Sequence, residues 1–191
     1  MNGSPDDVVL LDALAIAQRL GVTGERDLGE AIAHARAFVR CLDVVPAGSQ
    51  VVDLGSGGGL PGIVIAHDRP DLAVTLVERR RSRADLLVRM AGRVTGNRSS
   101  PGCSVRVVSD DVTRMATPTG GFDAATARSF GSPSVTLGAA ARVVRRGGLI
   151  VISDPPPGSE DRWTPELLSR CGVDRLPRLD DGVRVSRFRV L

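Results

Sequence analysis

The 191-residue chain is 42% apolar and carries 22 glycines spread among those residues, which predicts one folded domain with a sizeable core and excludes a disordered or collagen-like chain. Its formal net charge is only +3, and all 25 basic residues are arginine, a balance that admits an anionic partner such as nucleic acid without demanding one. Codon bias is the bland reading of the arginine-only composition; the functional one is that arginine suits phosphate and stacked bases better than lysine does. Cys41, Cys103 and Cys171 are too widely spaced for a metal or redox motif, and His34 and His67 are too few for a histidine metal site. Asp6 and Asp7 stand where a signal peptide carries basic residues, and no apolar run approaches the roughly 18 residues of a membrane span. The expectation is a soluble cytoplasmic protein with reduced thiols, no metal and no membrane contact.

In chain order, Ser4-Pro5 opens a helix predicted to run to Leu20 and stop at Gly21. A second helix is predicted from Asp27 to Leu42, where Leu28, Ile32, Ala35, Val39 and Leu42 form one apolar stripe. Pro46-Ala47-Gly48 ends this helical prelude, residues 1–48, and residues 49–191 are expected to form one structural unit. There the pattern becomes strand, turn, helix, repeated. Strands are predicted at Val51–Leu54, Leu72–Val77, Val105–Val108, Phe122–Ala127 and Leu149–Ile152. Helices are predicted at Leu60–His67, Arg81–Val94 and Pro133–Arg145, the last closed by Gly147-Gly148. A polar loop is expected from Gly96 to Gly102. A short helix from Thr164 to Gly172 precedes a hairpin, Val173–Leu179 and Val183–Val190, turning at Asp180-Asp181-Gly182. Val183 and Val185 share one parity while Phe188 and Val190 take the other, so a bulge is expected near Ser186. Alternating strands and helices imply a mostly parallel sheet covered on both faces.

The informative segment is Val51-Val-Asp-Leu-Gly-Ser-Gly-Gly-Gly-Leu-Pro-Gly62. It lies at the carboxyl end of a strand, where open parallel sheets bind ligands. Gly55, Gly57 and Gly59 let the backbone turn sharply and approach a ligand closely. Two cofactors fit. Gly57-Gly-Gly-Leu-Pro-Gly62 matches a dinucleotide fingerprint, with Glu78 free to hold a ribose. The wider string Asp53-x-Gly55-x-Gly57-x-Gly59 resembles the first motif of class I methyltransferases, in which the carboxylate and glycines hold the cationic end of S-adenosylmethionine. Glu78 ends the second strand and can accept two hydrogen bonds from a ribose diol; its bland alternative is a surface ion pair with the arginines that follow. Asp110 and Asp111 follow the third strand. One of them, Asp111 by preference, would accept a bond from the adenine amino group with Val112 against the ring; the alternative is capping of a turn. Three acidic positions after three successive strands are far more specific than any one alone.

Together with Asp53–Ile63, the Arg79–Arg93 helix and Phe122-Asp-Ala-Ala-Thr-Ala-Arg-Ser-Phe130 resemble the RsmG/GidB family, whose members methylate N7 of a guanine in small-subunit ribosomal RNA. The resemblance covers about Gln50–Ile152. It implies a Rossmann-like class I methyltransferase fold: a seven-stranded, mostly parallel sheet with helices on both faces and a C-terminal antiparallel hairpin. It also implies S-adenosylmethionine as cofactor, with Gly55, Leu60, Asp110, Asp111 and Arg128 lining its site, and ribosomal RNA or the small subunit as partner. The chain departs from the family pattern in two places. An Asn-Leu-Thr stretch is absent from the prelude, and Ala37 stands where a His-x-x-Asp stretch beginning near His34 would place its carboxylate. After the fifth strand, Ser153-Asp-Pro-Pro-Pro157 replaces the family's Lys-Gly.

Arg128 and Phe130 are the substrate-side candidates: the guanidinium for a cofactor atom, an RNA phosphate or a base, the ring for stacking or core packing. No His, Cys or carboxylate set stands out as catalytic. Methylation of a guanine N7 needs none, because the nitrogen already carries a lone pair and positioning suffices. The basic run Arg79, Arg80, Arg81, Arg83, Arg89 and Arg93 reads as a solvated helix face or as an RNA contact. Asp154-Pro-Pro-Pro157 reads as a stiff loop. A small-molecule methyltransferase and a non-catalytic module retaining the fold are the competing expectations.

Overall fold

The structure, a computed structural model, describes residues 5–24, 27–96, 104–155, 159–179 and 184–191. Two helices lead, α1 (Pro5–Arg19) and α2 (Leu28–Cys41), followed by a 3-10 turn at Leu42–Val44. Then come β1 (Gln50–Leu54), α3 (Gly62–Asp68), β2 (Ala73–Val77), α4 (Arg81–Thr95), β3 (Ser104–Val108), β4 (Phe122–Ala127), α5 (Pro133–Val143), β5 (Val144–Ser153), α6 (Pro165–Cys171), β6 (Val173–Leu176) and β7 (Val185–Val190). The strands form one sheet in the order β3-β2-β1-β4-β5-β7-β6. The first five strands pair in parallel, and β7 runs antiparallel to both β5 and β6. The order reverses between β1 and β4, and that switch point opens a crevice beyond the strands' carboxyl ends.

Local chemistry sets the helix ends. Asp27 caps α2 by accepting from the Glu30 N–H at 3.0 Å. Ser132 caps α5 and Thr164 caps α6, each followed by a proline in the first turn. Gly172, at φ +64°, ends α6 in the left-handed conformation. The predicted cap Ser4, most of the 96–102 loop and the turn at 180–182 lie outside the described residues.

The sheet separates two apolar layers. On one side α1–α4 pack against Val51, Val74, Leu76, Ala124 and Val151; on the other α5 and α6 pack against Val52, Leu54, Ala125, Ile150 and Phe188. This arrangement corrects two expectations. No shift interrupts the pairing of β7 with either neighbour at Ser186. Instead Val185 enters the α1–α4 layer at the start of β7, on the face where Arg187 is half-buried and Arg189 exposed, while Phe188 and Val190 enter the other layer. The parity change marks one buried residue at the start of an otherwise polar face, not a bulge. Likewise, Gly147-Gly148 does not close α5, which stops at Val143. Both glycines lie within β5, whose register with β4 shifts between Phe122 and Ala124. Gly147 has φ +73°, and a Cβ on Gly148 would stand 2.4 Å from Val144 Cγ1 and 2.8 Å from the Asp123 carbonyl oxygen. They permit an irregular strand start rather than a helix end.

An ionic knot ties the prelude to the sheet layer. Arg36 of α2 donates to Asp7 of α1 at 2.5 Å and to Asp68 at the end of α3 at 2.9 Å, and Asp68 also meets His67 Nδ1 at 2.7 Å. Asp7 first, then Asp68, holds the Arg36 guanidinium charged far above its ordinary range. The knot is half-buried. Its worth lies between that of exposed pairs and of fully buried ones, so Arg36→Ala should cost about 1–2 kcal/mol in urea unfolding. A loss within about 0.5 kcal/mol would show that the prelude docks by apolar contact alone. Among the described residues no helix is long and apolar enough to cross a membrane.

Candidate functional site

The turn after β1 is built by three left-handed glycines, Gly55, Gly57 and Gly59, at φ +68°, +51° and +97°. A side chain there would be strained and, at two of them, obstructed. A Cβ on Gly55 would lie 2.7 Å from the Phe130 ring, and one on Gly59 would lie 2.8 Å from both Ile63 and Met90. Gly58 faces Thr23 of the loop between α1 and α2, so the prelude buttresses the loop from behind. The following helix begins at Gly62 with Pro61 as its N-cap, two residues later than periodicity predicts.

Beside this loop lies a cavity of about 730 Å³, within the size range of small-ligand sites. Gly55, Gly57, Glu78, Asp110, Asp111 and Phe130 all line it. Val77, Val112, Val135 and Ala139 add apolar surface. Arg79, Arg80 and Arg83 also line it, whereas Arg81, Arg89 and Arg93 of the same basic run do not. From α5, Arg142 reaches across to donate to the Val112 carbonyl, fixing one wall against another.

Glu78 is buried and anchors the site. One carboxylate oxygen accepts from the Gly57 N–H at 3.1 Å and the other from the Arg80 N–H at 2.8 Å. It therefore sets the glycine loop against the turn after β2, and each oxygen still has a lone pair for a ligand hydroxyl. Asp110 Oδ1 accepts from the Asp111 N–H at 2.7 Å and from Arg114. Asp111 Oδ1 accepts from both the N–H and the hydroxyl of Thr113, at 2.8 and 2.7 Å. The Thr113 groups hold the Asp111 carboxyl below its ordinary pKa. Asp111 thus caps its turn and lines the cavity at once.

Four of the predicted residues are not on the cavity wall. Asp53 lies beneath the loop, 1% exposed, with Oδ1 accepting from the Thr126 hydroxyl at 2.7 Å. Its Oδ2 lacks a hydrogen bond of ordinary length and angle. Burial pushes the Asp53 pKa up to about 6, against the pull of the Thr126 and Ser56 hydroxyls, the Gly62 N–H and the Arg128 charge. Arg128 is half-buried and acts on Asp53 from the end of β4. Gly59 packs on α3 and α4, and Leu60 belongs to the apolar core. These residues support the loop from below. The residue after Arg128, Ser129, is exposed and held at φ +54°, a strained conformation for a residue with a Cβ. Sequence reasoning passed over Ser129, Thr126 and Arg142. Thr126 stands opposite Asp53 in the β1–β4 register, a neighbour visible only once the strand order is known.

The polar groups and shape suit S-adenosylmethionine: a carboxylate to accept from the ribose diol, a glycine turn where the backbone comes close, and apolar walls for a ring. A family model described as "rRNA small subunit methyltransferase G" matches residues 11–153. A ribosomal RNA small subunit methyltransferase G from Sorangium cellulosum is 37% identical over 111 residues, 58% of this chain and 45% of that protein. One from Ralstonia nicotianae is 28% identical over 199 residues, 92% of this chain and 86% of that protein. The chain spans half or less of the length of the first three curated relatives it matches. Among solved structures, an S-adenosylmethionine-dependent methyltransferase from Methanosarcina mazei superposes at a TM-score of 0.59 with 13% identity, covering 80% of this chain and 97% of that one. At that identity the likeness speaks for the fold alone. The fold, the motifs and the family match agree: the chain belongs to the GidB family, the rRNA small subunit methyltransferase G family.

Proposed function

We infer that the chain transfers a methyl group from S-adenosylmethionine to guanine N7 in small-subunit ribosomal RNA. The observation that carries the reading is the cavity beside Gly55 and Gly57, where Glu78, Asp110 and Asp111 converge from the ends of two strands. Glu78 would hold the ribose diol while keeping the loop in place. Asp110 or Asp111 would accept from the adenine amino group, with Val77 and Val112 against the ring. Gly55 and Gly57 would let the backbone approach the amino-acid end, and the Asp53 and Arg128 charges below would bias it electrostatically. Bound there, the cofactor supplies a methyl group on a positively charged sulfur, which an acceptor lone pair displaces in line.

A guanine N7 brings that lone pair without losing a proton, so the protein needs to orient rather than to act as a base. Phe130, whose ring lies against Gly55 on the cavity wall, would stack on the incoming base. Arg79, Arg80 and Arg83 on the cavity wall would meet the RNA phosphates. Calorimetry with S-adenosylmethionine, then methyl transfer to unmodified small subunits with nucleoside analysis, tests the reading. Binding followed by new N7-methylguanosine is the expected result. Binding with transfer only to metabolites would favour a small-molecule enzyme, and no binding would favour a non-catalytic module.

A further inference from the structure

A second cavity, of about 250 Å³, opens where β5 ends. It shares Ser129 and Phe130 with the larger cavity, so the two adjoin at the strained Ser129 backbone and the Phe130 ring. Its far wall is Arg162 and Trp163. Trp163 is buried and fixed: its indole N–H donates to Asp154 at 2.9 Å, and its ring meets Phe188 edge-on at 4.8 Å. Asp154 is in turn held by Ser186 and by Arg178. The Arg162 guanidinium lies 4.8 Å over the Trp163 ring, and its Nη2 donates to the Ser153 carbonyl. Its Nε is buried without a hydrogen-bond partner among the described residues.

We propose that this second cavity receives the acceptor base, and that Arg162 selects a 6-oxopurine there by donating to its carbonyl oxygen. The inference rests on the methyl-transfer reading of the larger cavity. The size is the first argument. At about 250 Å³ the space is too small for a whole cofactor and suits a single heterocycle. Position is the second: the two cavities adjoin at Ser129 and Phe130, so a base seated there stands beside the larger cavity, the side from which a methyl group would come. Chemistry is the third. A guanidinium has five donors and no acceptor, and one of those of Arg162 is buried and unspent. A leftover buried donor is costly, and a carbonyl oxygen brought to the guanidinium removes that cost. On a purine whose N7 faces the methyl group, the neighbouring 6-position is the group the guanidinium meets. A 6-oxo group accepts there; the 6-amino group of adenine presents donors to a donor. The rigid Trp163–Asp154 support keeps the planar fork oriented, as a specificity site requires.

Trp163 is the chain's one tryptophan, and there is no tyrosine, so intrinsic fluorescence reports on this cavity directly. Titrating the full chain with GMP or IMP should change Trp163 emission saturably, and AMP should bind at least tenfold more weakly. Arg162→Gln should weaken the GMP response at least tenfold. Glu78→Ala should leave it in place while weakening S-adenosylmethionine binding measured by calorimetry. That second variant keeps the test sharp if Arg162→Gln folds poorly, because it separates the two cavities in a protein with an intact outer wall. No saturable response to GMP, an equal response to AMP or to inorganic phosphate, or an unchanged response in a folded Arg162→Gln protein would each overturn the proposal. Loss of S-adenosylmethionine binding in the unaltered chain, with the GMP response retained, would overturn the methyl-transfer reading instead.

Discussion

Glu78→Ala should weaken S-adenosylmethionine binding ten- to a hundredfold, about 1–3 kcal/mol, in calorimetric titration. Two losses combine. The first is the pair of hydrogen bonds expected from the carboxylate to a ribose diol. The second is the anchor itself, since the Gly57 and Arg80 N–H groups both lose their acceptor. The glycine loop then relaxes where the cofactor should meet it. A third effect has the same sign: Arg79, Arg80 and Arg83 line the same cavity, so removing Glu78 leaves a more cationic site for a ligand that is itself a net cation. Glu78→Gln separates these contributions. It keeps one acceptor oxygen but places an amide N–H₂ against a backbone donor, so its affinity should fall between the other two. An unchanged affinity in both variants would show that the ribose does not lie against Glu78.

Legibility followed the range of the interaction that decides each feature. Caps at Asp27, Ser132 and Thr164 and the glycine turn at 55–59 are settled within a few residues, and all were readable. The seven strands were readable from alternation of apolar runs with helical stripes. The start of β5 was not, because Gly147-Gly148 imitates a helix terminus, and only the crowding of Gly148 by Val144 and Asp123 reveals a strand. The face assignment of β7 failed for a related reason: parity predicts which face is apolar only when the other face is polar throughout, and here Val185 is buried on the face that carries Arg187 and Arg189. Glu78, Asp110 and Asp111, read together from their spacing at successive strand ends, do line one cavity. Partners brought in by sheet order, Thr126 beside Asp53 and Arg142 over Val112, could not be read that way. The carboxylate at the head of the motif shows the limit most clearly. Its place in the pattern suggests direct contact with a ligand, but burial puts it beneath the loop.

That placement gives Asp53 opposed effects on stability and binding. Its folded-state pKa is raised to about 6 from an ordinary 3.8, chiefly by burial. Below about pH 4 both folded and unfolded chains hold the proton, and there is no penalty. Between about pH 4 and 6 the unfolded chain releases it while the folded chain keeps it, so this group's contribution to stability falls as pH rises. Above that window the penalty is constant at about 3 kcal/mol. Asp53→Asn cannot ionise. The stability difference between variant and parent should therefore grow in the variant's favour by about 2–3 kcal/mol from pH 4 to pH 7. Any fixed cost of the amide beside Gly62 cancels in that difference, as do the titrations of every other carboxylate. A flat difference across the window would show that Asp53 is not strained by burial. The same substitution should lower S-adenosylmethionine affinity at pH 8 by roughly three- to tenfold, because it removes a charge that favours a cationic ligand above it. At pH 5, where Asp53 in the folded chain is mostly protonated, the affinity difference should shrink. Stability and binding then move in opposite directions over one pH window. A carboxylate kept only for packing would not cost binding when replaced, and one exposed to the ligand through water would not gain stability.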